Sequence, residues 1–293
     1  MQTDPLLQDL AAAASPETLV AAILKHHPDL SAPVDIAALA QRMGIADLRA
    51  FDADPQPPAA SALQVSATGA GTILYAATLS PQRRRFAIAH QLGHFLLSHG
   101  RGDQSCTARD LGENRRDTPE RKAEMQANRF AAGLLMPKPL FVPFVAALGK
   151  PAVAHLPTIA AAFDVTQEAA ASRYLDLSQA MCALVFVKDG VVRYARASRA
   201  FPPLAIRVGA PAPPLPPAVS TKGKPVWHPA EPRDWLETSR ETRPPKLTTQ
   251  LLGKDSGVRL VLLFVNAAAE RRADEEAEKA AIERPKFGDG RRG

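Results

Sequence analysis

The sequence predicts an α+β protein, and three observations carry that reading. Apolar residues recur at three- and four-residue spacing through much of residues 16–177, the pattern of helices that bury one face. Two stretches, Ser61–Ala77 and the region from Met181 onward, change to β-formers punctuated by glycine turns. At 293 residues, with 46% hydrophobic and 23% charged composition, the chain has room for two or three domains and a sizeable core. Residues 1–150 are therefore read as a first domain, 151–179 as a helical middle segment, 180–268 as a second, β-containing domain, and 269–293 as a charged, partly disordered tail.

The first domain opens with helices. Pro16 to Leu24 fits an amphipathic helix, and Asp35 to Met43 fits another that ends at Gly44. Ser61 to Ala77 reads as a hairpin turning at Gly69-Ala-Gly71, and such a strand beside a reactive centre can bind an extended peptide by strand addition. The next helix, around Arg85-Phe-Ala-Ile-Ala-His90-Gln91-Leu-Gly-His94-Phe-Leu-Leu97, sets Ala89, Leu92, Gly93 and Leu96 on a packing face, with His90 and His94 on the adjoining stripe. Gly93 costs about 1 kcal/mol relative to alanine inside a helix, so another backbone or a substrate is expected to pass close to it. His99 to Asp117 is polar and reads as a mobile loop or an inert surface one. Thr118-Pro119-Glu120 then marks a helix start, with Ala123, Ala127, Phe130, Ala131 and Leu134 as its core stripe, Glu124 and Asn128 one turn apart beside it, and Pro137-Lys-Pro139 as its stop.

The chemistry gathers on these two helices. Histidines four apart lie one turn apart on one helix face, so His90 and His94 can converge on a single Zn²⁺. The five-residue pattern is short and often false, so a third ligand decides the matter. A second helix packed on the first brings Glu124 into reach, completing a two-histidine, one-carboxylate site with an open fourth position. In zinc peptidases of this pattern the residue after the first histidine is glutamate, the general base. Here it is Gln91, which matches glutamate in shape but takes no proton near neutral pH, a loss on the order of 10²–10⁴ in rate.

His90-Gln-Leu-Gly-His94 followed by Glu124-Met-Gln-Ala-Asn-Arg-Phe-Ala-Ala-Gly-Leu-Leu-Met-Pro137 closely resembles the ImmA/IrrE metallopeptidases, over about the first 150 residues. The resemblance implies a zincin-like metallopeptidase domain, zinc held by His90, His94 and Glu124, Asn128 supporting that site, and Gln91 where the family has its catalytic glutamate. It further implies site-specific cleavage of a partner transcriptional repressor of the Xre type, relieving repression under stress. Gln91 is read as a glutamate replaced so that substrate binds uncut; a natural, non-catalytic zinc-binding regulator is the alternative. Later segments resemble the longer members of the family more loosely, with a helix-turn-helix-like middle and a GAF-like α/β sensor domain.

In that middle, residues 157–177 form two short helices about a tight turn at Asp164-Val165, with Thr166 capping the second. A DNA-reading helix presents several Arg, Lys, Asn or Gln side chains, whereas this one offers Gln167, Ser172 and Arg173 among alanines. A packing role is preferred over a DNA reader, which stays as a further alternative. From Met181 the chain turns to β: Cys182 to Val187 and Val191 to Ala195 flank a Lys188-Asp-Gly190 turn, and Val258 to Val265 supplies another strand. Pro202 to Pro217 reads as an extended linker or loop. Residues 181–250 hold 11 Lys and Arg against 5 Asp and Glu, a basic face read as solvated, with weak or indirect nucleic-acid contact as the other option.

Composition bounds the setting. Cys106 and Cys182 are too few and too far apart for a disulfide framework or a cysteine zinc site, and read as free thiols in a reducing cytoplasm. No basic stretch precedes an apolar run at the N-terminus, which argues against a secretory signal. The longest apolar stretches are strand-sized, so no membrane span is expected.

Overall fold

The computed structural model describes residues 4–52, 59–97, 103–108, 110–112, 117–216, 219–220, 224–238, 243–253, 257–266, 268 and 271–272. Two compact units are present: Met1–Gly149 with Leu156–Arg173, and Lys150–His155 with Tyr174–Gly293. Nearly all of the tail read from residue 269 lies outside the described residues.

The first unit begins with α1 (Pro5–Ala12) and α2 (Pro16–His26), the latter opened by a capping box in which Ser15 and Thr18 satisfy each other's backbone N–H groups. Helix α3 (Ile36–Arg42) is capped by Asp35, whose carboxylate accepts from the Ala38 amide. A four-stranded sheet follows in the order β1-β3-β2-β4. Strands β2 (Ala59–Val65) and β3 (Gly71–Ala76) form the expected hairpin, paired Ser61 to Tyr75 through Val65 to Gly71. Strand β1 (Ile45–Phe51) lies parallel to β3, a pairing without a local signature, and β4 (Gln104–Thr107) pairs antiparallel with β2. The reading of residues 99–117 as loop is thus corrected in part: Gln104–Thr107 is a strand, because β2 offers it a free edge, while 99–102, 109 and 113–116 lie outside the described residues.

Helix α4 (Pro81–Leu97) carries both histidines and packs against β2 and β3 on one side and α5 (Pro119–Leu135) on the other. Ala89, Leu92 and Gly93 of the expected packing face are buried, and so is every other residue from Ala87 to His94, the polar ones included. A helix enclosed by a sheet and a second helix has no solvent face over that span. The glycine inside it is explained by the crossing: a Cβ at Gly93 would stand 3.2 Å from Ala127 Cα, 3.3 Å from its carbonyl oxygen and 3.0 Å from Phe130 Cδ1. The passing backbone expected at Gly93 is that of α5.

Helix α5 starts where the sequence places it, Thr118 accepting from the Arg121 amide, and ends at Met136. A further helix α6 (Lys138–Ala147) begins at once after Pro137, with Pro139 near its start, where a missing N–H costs little, and Pro143 inside. Helices α7 (His155–Phe163) and α8 (Gln167–Leu177) are the short pair, turning at Asp164, whose φ is 48°, with the Thr166 hydroxyl accepting from the Ala169 amide.

The second unit is built on a sheet ordered β6-β5-β10-β9-β7, with β8 (His228–Ala230) also on β9. Strands β5 (Cys182–Lys188) and β6 (Val191–Ala197) form the expected hairpin; Asp189 and Gly190 both take positive φ, 53° and 74°, as a tight two-residue turn requires. Strand β10 (Val258–Val265) lies between β5 and β9 (Leu247–Gly253), antiparallel to both, and β7 (Val219–Ser220) runs parallel to β9. Val185, Val261 and Leu263 pack with Trp235, the buried end of the four-residue helix α9 (Pro232–Trp235). The proline-rich stretch is no free linker: Phe201, Leu204, Ile206, Ala212 and Leu215 pack on that core. Among the described residues no single helix is long and apolar enough to cross a membrane.

The crossing at Gly93 generates a test. Gly93→Val forces α4 and α5 apart and is expected to cost about 1–3 kcal/mol, the usual penalty of overpacking, read as a lower urea midpoint at unchanged slope. An unaltered midpoint would show that the helices are not held this closely.

Candidate metal centre

The two helices deliver their polar side chains to one point. His90 Nε2 lies 3.0 Å from His94 Nε2. Glu124, on the turn of α5 before the Gly93 crossing, places Oε2 3.1 Å from His90 Nε2 and Oε1 3.4 Å from His94 Nε2. The imidazoles are buried completely or nearly so, and Glu124 is 17% exposed. His90, His94 and Glu124 thus come together, with a fourth group that the sequence does not connect to them: Cys106. Its sulfur stands 3.7 Å from His94 Nε2 and 3.6 Å from Glu124 Oε1, and one donor atom from each of the four residues lies within 4.8 Å of the rest.

Hydrogen bonds around the cluster decide where its lone pairs point. Asn128 Nδ2 donates to the Asp110 carbonyl at 2.8 Å, which turns its Oδ1 toward His90 Nδ1, also 2.8 Å away. Nδ1 is therefore the protonated nitrogen of His90, and Nε2 presents its lone pair to the cluster. Burial holds the His90 imidazole below its ordinary pKa, so the ring is neutral. Glu124 Oε2 is buried without a hydrogen-bond donor. A carboxylate and an imidazole lone pair converging at 3.1 Å form a donor set that a cation completes, so the residues present fit zinc.

Asn128 also links the metal helix to the segment bearing the thiol. Asp110 begins a short 3-10 turn (Asp110–Gly112), and its carboxylate accepts from both the Thr107 amide and hydroxyl, at 2.7 and 2.8 Å. Cys106 is wholly buried and faces Ser61 across the β2–β4 pair. Burial, followed by the Glu124 carboxylate, pushes the thiol's pKa strongly up. A bound cation reverses that preference, since a coordinating thiol is deprotonated.

Gln91, directly after the first histidine, is fully buried. Its Nε2 donates to Ser61 Oγ at 2.9 Å, and its Oε1 has no hydrogen-bond partner. The side chain is thereby tied to β2. Sequence reasoning found neither Ser61 nor Cys106 as part of the site. Cys106 follows His94 by twelve positions, a spacing that belongs to no metal motif, and only the strand pairing of β4 carries it in.

Residues 34–175 match the M78 peptidase family, described as the IrrE N-terminal-like domain. Among solved structures the chain is similar to a Mycobacterium tuberculosis transcriptional regulator, at 15% identity and a TM-score of 0.41, over 92% of this chain and 74% of that one. No curated protein matches it.

The lone-pair geometry predicts the effect of removing its support. Asn128→Ala frees the His90 ring to change tautomer and is expected to lower zinc affinity by about 10–100-fold, measured by competition with a chromophoric chelator. His90→Ala with His94→Ala should abolish stoichiometric zinc. Affinity untouched by Asn128→Ala would mean that the ring is oriented by something else.

Proposed function

Because residues 34–175 are an IrrE N-terminal-like domain of the M78 peptidases, we propose that this chain is a zinc-binding regulator that holds a partner transcriptional repressor of the Xre type and, as it stands with Gln91, leaves it uncut. His90, His94 and Glu124 hold the metal, which when bound supplies Lewis acidity to the site. Ser61 and Gln91 orient each other beside it, and Asn128 keeps the His90 lone pair aimed inward. The observation that carries the reading is Gln91 itself: a buried amide bonded to Ser61, where peptide hydrolysis needs a carboxylate to accept the proton of the attacking water.

The related reading is a site-specific endopeptidase whose glutamate has been exchanged for Gln91; its support is the completeness of the remaining ligand set. Release of repression under stress, a cytoplasmic setting and a sensor role for the second unit belong to the same proposal. A DNA-binding role for residues 157–177 has less support. The Arg173 Nε donates to the Met136 carbonyl at 3.0 Å, so one of its three polar candidates is engaged inside the fold.

The test is incubation of the zinc-loaded chain with Xre-type repressors, followed by co-purification and intact-mass spectrometry. A stable complex with the repressor at full mass is expected. Fragments that vanish on chelation would show that the Gln91 form is a working peptidase, and absence of binding to every such repressor would remove the partner assignment.

A further inference from the structure

We propose that Cys106 is the fourth ligand of the metal, closing the site as a tetrahedron of two imidazoles, one carboxylate and one thiolate. The inference rests on the metal reading above and departs from it at the fourth position, which a catalytic zinc site keeps for water or substrate.

The distances carry it. Zinc bonds of about 2.0–2.1 Å to nitrogen, 2.0–2.2 Å to oxygen and 2.3 Å to sulfur, set at tetrahedral angles, place ligand atoms about 3.3 Å apart for nitrogen with nitrogen or oxygen, and about 3.5–3.6 Å apart where sulfur is one partner. The structure has 3.0 Å between the imidazole nitrogens, 3.1 and 3.4 Å from those nitrogens to the Glu124 oxygens, 3.7 Å from sulfur to His94 Nε2, and 3.6 Å from sulfur to Glu124 Oε1. The separations of the sulfur from His94 and Glu124 are longer than those among the nitrogens and oxygens, as a thiolate ligand requires, and one donor atom from each of the four residues lies within 4.8 Å of the others. A buried free cysteine ordinarily acts as a small hydrophobe among apolar neighbours. Cys106 instead meets a carboxylate and an imidazole, on a strand anchored by Asp110 and by the pairing with β2.

Coordination needs no oxidant or co-reactant. The Cys106 S–H bond breaks, its proton passes to solvent, and the sulfur lone pair forms the bond to the metal. With Glu124 and Cys106 both anionic, the two charges of Zn²⁺ are matched, and the soft sulfur donor favours zinc over hard cations such as Mg²⁺. The metal then clamps α4, α5 and β4 together as a closed site does, and water lacks a coordination position whatever residue stands at 91.

X-ray absorption at the zinc edge of the full chain, purified without chelator, decides the question directly. One sulfur at about 2.3 Å with three nitrogen or oxygen neighbours at about 2.0–2.2 Å is expected. The Co²⁺-loaded chain should show a near-ultraviolet thiolate-to-cobalt charge-transfer band and the intense visible bands of four-coordination. Cys106→Ser should lose the sulfur shell and the charge-transfer band and bind zinc more weakly by at least roughly tenfold, with circular dichroism checking its fold. Stoichiometric zinc with only nitrogen and oxygen neighbours, and no thiolate band, overturns Cys106 as a ligand and leaves the three-residue site standing. A chain that holds no zinc overturns both. Should Cys106→Ser not fold, the absorption spectrum of the unsubstituted chain still establishes whether sulfur is bound.

Discussion

The crossing of α4 over α5 at Gly93 is the constraint on which the first unit turns. Only a residue without a side chain lets the two backbones approach to 3.2 Å from the Ala127 Cα to a would-be Cβ. Glu124 stands one turn before that contact and Asn128 directly after Ala127, while His90 and His94 flank Gly93 on α4. The separations of 3.1 and 3.4 Å between Glu124 and the two imidazoles are therefore set by how closely the two helices cross. The cost of glycine inside a helix, about 1 kcal/mol, is offset by the packing it permits.

Burial then shapes the electrostatics. Enclosed between a sheet and a helix, His90 is neutral because a buried charge is penalised, and Asn128 chooses which of its nitrogens carries the proton. Glu124 supplies the carboxylate of the cluster, its Oε2 3.1 Å from His90 Nε2 and its Oε1 3.4 Å from His94 Nε2. The arrangement is poor as an isolated hydrogen-bond network, with a carboxylate oxygen lacking a donor, and good as a cation's donor set.

Two departures from a hydrolytic zinc site point the same way. In the reading proposed above Gln91 replaces the proton acceptor, and its amide reaches β2 through Ser61. Cys106, opposite Ser61 in the sheet, brings sulfur to 3.7 Å from His94 Nε2. A peptidase altered at one residue accounts for the first departure and leaves the second unexplained; a closed site that serves binding accounts for both. The sheet carrying Cys106 is thus more than support for the metal helix. Through β4 and Asp110 it joins the thiol to the same Asn128 that orients His90.

What the sequence by itself determined was whatever leaves a local or periodic trace. The cap at Thr118, the turn at Asp189-Gly190, the hairpin of β2 and β3 and the helix bearing His90 and His94 all depend on residues a few positions apart, whose backbone preferences act wherever the segment lies. Glu124 was legible because it sits on a periodic helix within a long motif. Only the tertiary structure decided the parallel pairing of β1 with β3, the burial of residues 87–94 of α4 on all sides, and the place of Cys106. Each of these follows from contacts between segments remote in sequence. A four-residue strand such as Gln104–Thr107 carries too little alternation to announce itself, and it forms because β2 presents unpaired backbone groups that must be satisfied. The thiol then reaches His94 and Glu124 through hydrogen bonds between strands, a relation with no period in the sequence.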